Sequence, residues 1–281
     1  MLLFFTPLGL IFLWSGSQFK RITKITLTVI FISLFLASQI YYNKKYEKLL
    51  AQKPVERIIE MITKSKRKTY LKASKVDLFK DLQLTKIPKR LRVKLAVSDI
   101  AASSLLGTVS IKTKDRYGKE LGLGSGFVVS KEGFIATNFH VLESAYKIVI
   151  KIGDKEFKDC LLVKSDPSLD IALLKIESKD LTALPIGDSD ELLNGQFVVV
   201  LGNPWGFERS VSSGIISGIR SEGDIKIIQM TAPVSPGSSG GPVINEYGEV
   251  VGVTTLASFL MAQNLNFAIP INYLKKIINE Q

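Results

Sequence analysis

The chain has 281 residues, 46% of them hydrophobic, which is enough for one large domain or two small ones with additional segments. Its formal net charge is +11, and its single cysteine excludes an intrachain disulfide. Residues 44–94 hold 17 Lys and Arg against 5 Asp and Glu, whereas residues 95–281 hold 17 against 21. Because the basic stretch lies beside apolar segments, it favours a membrane surface over nucleic acid as a partner.

Two apolar runs begin the chain. Residues 2–14 are short and contain a proline, whereas residues 25–42 form an uncharged run long enough to cross the hydrocarbon layer as a helix. Residues 1–43 are predicted to be a membrane anchor, in which either both runs cross as a helical hairpin or only the second run crosses. A cleaved signal peptide is a third interpretation, which the length of the second run disfavours. The basic residues between the runs direct everything after residue 43 out of the cytoplasm, although the lysines that follow argue the other way.

Residues 44–95 are predicted to be a basic, partly helical linker. Apolar residues recur at helical spacing in its first half, at Val55, Ile58, Ile59 and Ile62. The favoured interpretation is a solvated stalk. The alternative is a basic surface that rests on anionic lipid headgroups or wall polymers.

From residue 96 the chain alternates short runs rich in Val, Ile, Phe and Thr with Gly, Asp, Asn and Ser. This pattern predicts an all-β barrel or sandwich. The predicted strands are Gly107–Thr113, Gly126–Ser130, Phe134–Thr137, Ile148–Ile152, Ile171–Ile176, Phe197–Leu201, Ser210–Gly218, Ile225–Met230, Pro242–Ile244, Val250–Thr255 and Asn266–Ile269. One helix is predicted at the end, after Pro270, with apolar residues on one face.

The stretch Ser235–Pro242 combines three serines, three glycines and two prolines just before an apolar strand. Glycine permits backbone angles that a β-carbon forbids, so the chain is expected to bend sharply here. A serine on such a bend can stand beside amide N–H groups, which is the arrangement that acyl transfer requires. By itself the stretch is equally compatible with a surface turn between two strands.

The only histidine, His140, and an aspartate thirty residues later resolve this ambiguity. Asp170 begins an apolar strand, where a carboxylate needs a partner, and an imidazole N–H would be a suitable one. The order His140, Asp170, Ser239 in a domain of many short strands predicts a catalytic triad. Cys160 lies in an apolar run and is predicted to be a structural thiol.

Six ordered motifs resemble the HtrA (DegP-like) family of trypsin-like serine proteases. They are Thr137–Val141, Asp170–Ile176, Leu201–Pro204, Ser213–Ser217, Gly237–Pro242 and Asn266–Pro270. The resemblance implies a protease domain over residues 96–281, built from two perpendicular six-stranded β-barrels with the site in the cleft between them. Because the sequence ends after the terminal helix, no PDZ domain is expected.

The resemblance also implies roles for individual residues. Ser239 would be the nucleophile, His140 the general acid and base, and Asp170 the carboxylate that orients the histidine. The backbone N–H groups of Gly237 and Ser239, with Ser238 between them, would form the oxyanion hole. The pocket for the substrate residue before the cleaved bond would be lined by Ala232, Pro233, Val234, Ser235, Leu265, Asn266, Phe267 and Ala268. Neither pocket segment contains an acid, which favours small or medium apolar side chains over Lys or Arg.

The predicted function is therefore a membrane-anchored serine endopeptidase that acts outside the cytoplasm on unfolded or exported polypeptides. Its partners would be polypeptide substrates and membrane lipid, not nucleic acid, and the resemblance implies a homotrimer. No cofactor is implied, and no metal-ligand spacing is present. Two alternatives remain: a catalytically silent peptide-binding or chaperone module, and a scaffold protein whose basic linker binds an anionic polymer.

Overall fold

The computed structural model describes residues 82–178, 181–203, 210–255 and 265–279, together with helical residues 30, 32–34, 37, 40 and 41. The predicted linker helix and nearly all of the predicted anchor lie outside these residues. Within the part of the chain that is described, no helix is both long enough and apolar enough to cross a membrane. The chain divides into a unit of residues 1–57 and a unit of residues 58–281, and the described strands all belong to the second unit.

Residues 82–279 form thirteen strands and two α-helices where they are described. The strands are β1 Thr108–Lys114, β2 Glu120–Ser130, β3 Phe134–Thr137, β4 Lys147–Ile152, β5 Lys155–Phe157, β6 Cys160–Asp166, β7 Ile171–Ile176, β8 Phe197–Gly202, β9 Ser210–Glu222, β10 Ile225–Met230, β11 Pro242–Asn245, β12 Val250–Thr255 and β13 Asn266–Pro270. The helices are α1 Val97–Ser104 and α2 Ile271–Asn279. The predicted all-β class and the terminal helix are confirmed.

The first seven strands form one antiparallel sheet in the order β5-β4-β1-β2-β3-β7-β6. The prediction of a closed six-stranded first barrel is therefore wrong, because the two edge strands do not pair. β5 has only three residues, two of them exposed, and β6 changes register between Leu162 and Lys164. A short edge strand and a bulged one offer too few aligned backbone groups to continue the ladder.

The last six strands form the predicted closed barrel, in the order β10-β13-β12-β11-β8-β9. Its interior is filled by alternate residues of its strands, such as Val198 and Val200 of β8, which pack with Met230 and Val243. This alternation follows from the two-residue repeat of a strand. The barrel thus packs its six strands, from β8 to β13, around one core.

Sequence patterns missed α1, β5 and β6. Helix α1 buries only Ile100 and Ser104, one turn apart, so its apolar face is too narrow to be recognised. Helix α2 buries Ile271, Leu274 and Ile277, and this wider stripe made it predictable.

The last part of the predicted linker lies against the barrel and its flanking loops. The N–H of Ile186 donates to Thr85 O at 2.7 Å, and the N–H of Leu95 donates to Glu246 O at 2.8 Å. Arg92 donates through Nε to Glu249 Oε1 at 3.0 Å, and that carboxylate is only 1% exposed. These contacts attach residues 85–95 to the β domain, while the boundary at residue 96 remains a prediction.

Candidate active site

His140 and Asp170 meet because the strands that carry them are neighbours. His140 lies in a short turn after β3, Asp170 immediately precedes β7, and Thr137 of β3 pairs with Ala172 of β7. The imidazole Nδ1 lies 2.8 Å from Oδ2 and 3.0 Å from Oδ1 of Asp170. The backbone N–H of His140 also donates to Oδ1, at 2.9 Å. One carboxylate therefore holds both the ring and the backbone of the histidine.

Asp170 is itself held in a conformation that few residues adopt. Its φ is +51°, in the left-handed region that aspartate tolerates better than most side chains, and it is 1% exposed. Asn138 Nδ2 donates to its carbonyl at 3.0 Å, and Thr255 Oγ1 donates to Oδ2 at 3.2 Å. A buried charge is stable only with such partners, so the site carboxylate is fully engaged.

The histidine is basic and accessible. Burial lowers its pKa, but the charge of Asp170 and its hydrogen bond raise it further, so the net pKa of His140 lies above the usual 6.5. About a third of the side chain, 32%, is exposed. A neutral ring that donates from Nδ1 to the carboxylate keeps its lone pair on Nε2, where a proton can be accepted.

The predicted serine bend is present between β10 and β11. Gly237 and Gly240 have φ values of +98° and +88°, which favour glycine. A β-carbon at Gly240 would lie 2.0 Å from Ser125 O, a distance that no side chain tolerates. The N–H of Gly240 donates to Thr254 O at 2.8 Å. Glycine at this position therefore allows the bend to lie directly against β2 and β12.

The hydroxyl of Ser239 is buried and has no hydrogen-bond partner among the described residues. The structure thus joins His140 to Asp170, but a serine–histidine hydrogen bond is not formed. The bend is nevertheless next to the histidine turn. A β-carbon on Gly124 would lie 2.5 Å from a methyl of Val141 and 3.3 Å from Ser239 O. In enzymes without substrate, the hydrogen bonds between catalytic groups are often long or poorly aligned.

The backbone amides of the bend divide into two kinds. The N–H of Ser238 donates to Ser235 O at 2.9 Å, so it is used within the turn. Within the described chain, the N–H groups of Gly237 and Ser239 have no acceptor. Two unengaged N–H groups on either side of a fixed peptide can accommodate a developing oxyanion.

The two predicted pocket segments are adjacent, since the N–H of Val234 donates to Asn266 Oδ1 at 3.3 Å. Their residues differ in accessibility. Ala232 and Ala268 belong to the barrel core and Phe267 is buried, whereas Pro233 is exposed and Val234, Ser235, Leu265 and Asn266 are partly buried. Five of the eight predicted pocket residues therefore have some solvent exposure, and three are buried.

Sequence reasoning missed the polar residues around Asp170 and the serine bend. Thr255, Asn138 and Ser125 all donate to backbone or carboxylate oxygens of the site. Only Ser125 had a detectable signal, because Gly124 and Gly126 flank it, much as Gly237 and Gly240 enclose Ser238 and Ser239. Cys160 lies on β6, where burial raises its pKa to about 12, as expected for a structural thiol. No group of three potential metal ligands occurs in the described ranges.

The fold combines an antiparallel sheet with a closed barrel, which is a trypsin-like arrangement. Its site has a buried carboxylate bonded to a partly exposed imidazole, beside a serine on a glycine-rich bend, which is a serine-protease type of site. Residues 124–253 match the family described as "Trypsin-like peptidase domain". Named relatives include a "Probable periplasmic serine endoprotease DegP-like" of Pseudomonas fluorescens, 40% identical over 175 residues, which cover 59% of this chain and 36% of the relative. A relative of the same name from Marinomonas sp. is 38% identical over 172 residues, with coverage of 58% and 36%.

Solved structures give the same result. The "HtrA-type protease AlgW with tripeptide" is 30% identical, with a TM-score of 0.59 over 66% of this chain and 64% of that one. The serine endoprotease from Yersinia pestis is 31% identical, with a TM-score of 0.58 over 67% of this chain and 68% of that one. The chain belongs to the HtrA (DegP-like) family of trypsin-like serine proteases. The matched part spans about a third of the length of the named periplasmic relatives.

Proposed function

We propose that the chain is a serine endopeptidase that hydrolyses peptide bonds through an acyl-enzyme on Ser239. The observation that carries the proposal is the buried carboxylate of Asp170, bonded at 2.8 Å to the partly exposed imidazole of His140 and adjacent to a bend with two unengaged amide N–H groups. A surface turn requires neither feature. Membership of a family of serine proteases supports the same conclusion.

In the first half of the reaction, Ser239 Oγ attacks the carbonyl carbon of the peptide bond while His140 Nε2 takes its proton. The carbonyl oxygen becomes an oxyanion that accepts hydrogen bonds from the N–H groups of Gly237 and Ser239. Asp170 stabilises the imidazolium across the 2.8 Å contact. The carbon–nitrogen bond then breaks, His140 returns the proton to the leaving amine, and an ester to Ser239 remains.

In the second half, water replaces the leaving amine. His140 Nε2 takes a proton from the water as its oxygen attacks the ester carbon, and the same two N–H groups bind the second oxyanion. The ester bond breaks, Ser239 Oγ regains a proton from His140, and the new carboxylate is released. This sequence consumes one water per peptide bond and returns the three side chains to their starting state.

The proposed substrates are unfolded or exported polypeptides with a small or medium apolar residue before the cleaved bond. The partly buried pocket residues Val234, Leu265 and Asn266 carry no negative charge that would pair with Lys or Arg. Fluorogenic peptides that differ only in Val, Ala or Arg at that position test this preference. Faster cleavage after Arg than after Val would contradict it.

The alternative is a catalytically silent peptide-binding module, which the unpartnered hydroxyl of Ser239 favours. A fluorophosphonate probe that modifies activated serines separates the two. We expect the full-length chain to be labelled and Ser239→Ala to remain unlabelled. Ser130→Ala is the control, because it removes a fully buried serine hydroxyl that bonds to Glu132 and not to the bend, and it should be labelled like the parent chain. An unlabelled parent chain in folded form would favour the silent module.

We also propose that residues 1–43 anchor the protein in a membrane with the catalytic domain on the extracytoplasmic side. The apolar run at residues 25–42 and the periplasmic designation of the relatives support this. Carbonate extraction of membranes tests the anchor, and digestion by added protease with intact and permeabilised cells tests the side. The homotrimer that the family resemblance implies is tested by sedimentation in detergent.

A further inference from the structure

We infer that Ser125 is a positioning residue of the peptidase site, whose hydroxyl holds the peptide between the two oxyanion-binding amides in place. The inference rests on the proposed function and adds a residue to it. Ser125 lies on β2, in the first sheet, and is fully buried. Its side chain touches neither His140 nor a position that the reacting atoms occupy, so it would act through the bend.

Ser125 is bonded to the serine bend through both its backbone and its side chain. Its N–H donates to Ser239 O at 2.7 Å, and its Oγ donates to Gly237 O at 2.7 Å. Its own carbonyl accepts from Thr137 Oγ1 at 2.7 Å, which fixes the strand at this point. One residue of the first sheet thus holds two carbonyls of the bend, those of Gly237 and Ser239.

The hydroxyl has only one possible orientation. It accepts a hydrogen bond from the N–H of Asn203 at 2.9 Å, and Asn203 is anchored in turn by Nδ2 to Val109 O at 3.0 Å. The hydroxyl has a single proton, and the carbonyl of Gly237 can only accept, so that proton points at Gly237 O while one lone pair accepts from Asn203. Ser125 therefore also connects the end of β8 to the bend.

The held peptide is the one that separates the two unengaged amides. Its carbonyl, on Gly237, is bound by Ser125, and its N–H, on Ser238, is bound by Ser235 O at 2.9 Å. Both ends of this peptide are therefore held, which fixes the directions of the N–H groups before and after it. Without the hydroxyl, the carbonyl of Gly237 would be buried without a donor, and rotation at a glycine would relieve that cost.

The test compares Ser125→Ala with Ser130→Ala in the full-length chain. Both serines lie on β2, both are fully buried, and both donate through Oγ, but Ser130 donates to Glu132 and not to the bend. For Ser125→Ala we expect kcat to fall about 10- to 100-fold with KM changed less than about threefold. This is below the roughly 100- to 1,000-fold effect of deleting an oxyanion donor, because the donors are displaced and not removed.

The pH dependence of kcat should stay unchanged in Ser125→Ala, because the pair of His140 and Asp170 is not touched. A kcat within threefold of that of Ser130→Ala would overturn the inference. If Ser125→Ala does not fold, Ser125→Cys replaces it, because a thiol is a weaker donor and acceptor than a hydroxyl. The assay is run below the unfolding temperature of Ser125→Cys, and the same fall in kcat is expected. A normal kcat for that variant would overturn the inference too.

A readout without turnover distinguishes failure of this inference from failure of the proposed function. In amide ¹H–¹⁵N spectra of the full-length chain, the signals of Gly237 and Ser239 should shift in Ser125→Ala and stay in place in Ser130→Ala. Unchanged signals would overturn the positioning role even in an inactive protein. An inactive, unlabelled parent chain in which these signals do shift would instead overturn the peptidase function and keep the positioning of the bend.

Discussion

The contribution of Asp170 to the reaction is tested by Asp170→Asn, which keeps the shape of the side chain and removes its charge. In the parent chain the carboxylate accepts from His140 Nδ1 at 2.8 Å, from the backbone N–H of His140 at 2.9 Å and from Thr255 Oγ1 at 3.2 Å. The side chain of asparagine has one acceptor oxygen in place of two, and its NH₂ can only donate, so it cannot accept all three hydrogen bonds in this geometry. Its NH₂ would face one of the donors or force the imidazole into the tautomer that leaves no lone pair on Nε2.

The size of the effect follows from the geometry. The carboxylate is 1% exposed, so water screens it little when His140 becomes an imidazolium. Two unit charges about 4 Å apart attract by about 4 kcal/mol at an effective dielectric constant of about 20. Since about 1.4 kcal/mol is a factor of ten, losing this attraction lowers kcat about 1,000-fold. The wrong tautomer adds to the loss, so we expect a fall of roughly 1,000- to 10,000-fold.

The assay is cleavage of a fluorogenic peptide between pH 5 and pH 9. In the parent chain, activity should rise with pH as His140 loses its proton, with a midpoint above 6.5 because Asp170 holds the pKa of His140 up. The residual activity of Asp170→Asn should have its midpoint at a lower pH, because the carboxylate that raises the pKa of His140 is gone. Asp166→Asn is the control, because the Asp166 carboxylate, at the end of β6, accepts from the N–H of Ser168 and has no bond to His140. A fall of less than tenfold in Asp170→Asn would refute the proposed role.

The other predictions concern stability, the bend and the thiol. Arg92→Ala should lower the unfolding free energy by about 3 kcal/mol and the midpoint temperature by roughly 6–12 °C, since it leaves Glu249 buried and unpaired. Lys94→Ala, which breaks a surface pair, should leave the midpoint nearly unchanged, and equal shifts in the two variants would contradict the burial argument. Gly240→Ala should abolish probe labelling, because its methyl meets Ser125 O, and normal labelling would show that the bend can move. The pKa of the partly buried Cys160 thiol is raised to about 12, so little thiolate is present at pH 8. Iodoacetamide should therefore add mass much faster to the unfolded chain than to the folded one, and equal rates would contradict the raised pKa.

Much of the fold was predictable because it depends on local patterns. The bounds predicted from short runs rich in Val, Ile, Phe and Thr are those of β3, β7, β10 and β12. The short strand β5 and the bulged β6 were missed, and with them the open edge of the first sheet. The three residues of β5 are too few to show a strand pattern. In β6 the bulge shifts by one position which side chains face the core, so the pattern is broken.

The site was predictable only in part. His140, Asp170 and Ser239 were recognisable from their chemistry and order, and the contact between His140 and Asp170 is present at 2.8 Å. The state of Ser239, buried without a partner, was not predictable, because it depends on the rotamer of one hydroxyl in a packed seam. The attachment of Arg92 to Glu249, 157 residues apart in sequence, has no local signal either.

By itself the sequence predicted which residues would carry the chemistry and determined where the chain turns, since side-chain type, glycine conformation and strand composition are local properties. Tertiary structure alone decided which neighbours hold those residues in place. Ser125 reaches Gly237 across 112 residues, and Thr255 reaches Asp170 across 85. The physical reason is that a buried polar group bonds to whichever partner the packing of the sheet against the barrel brings within about 3 Å, and that packing is a property of the whole domain.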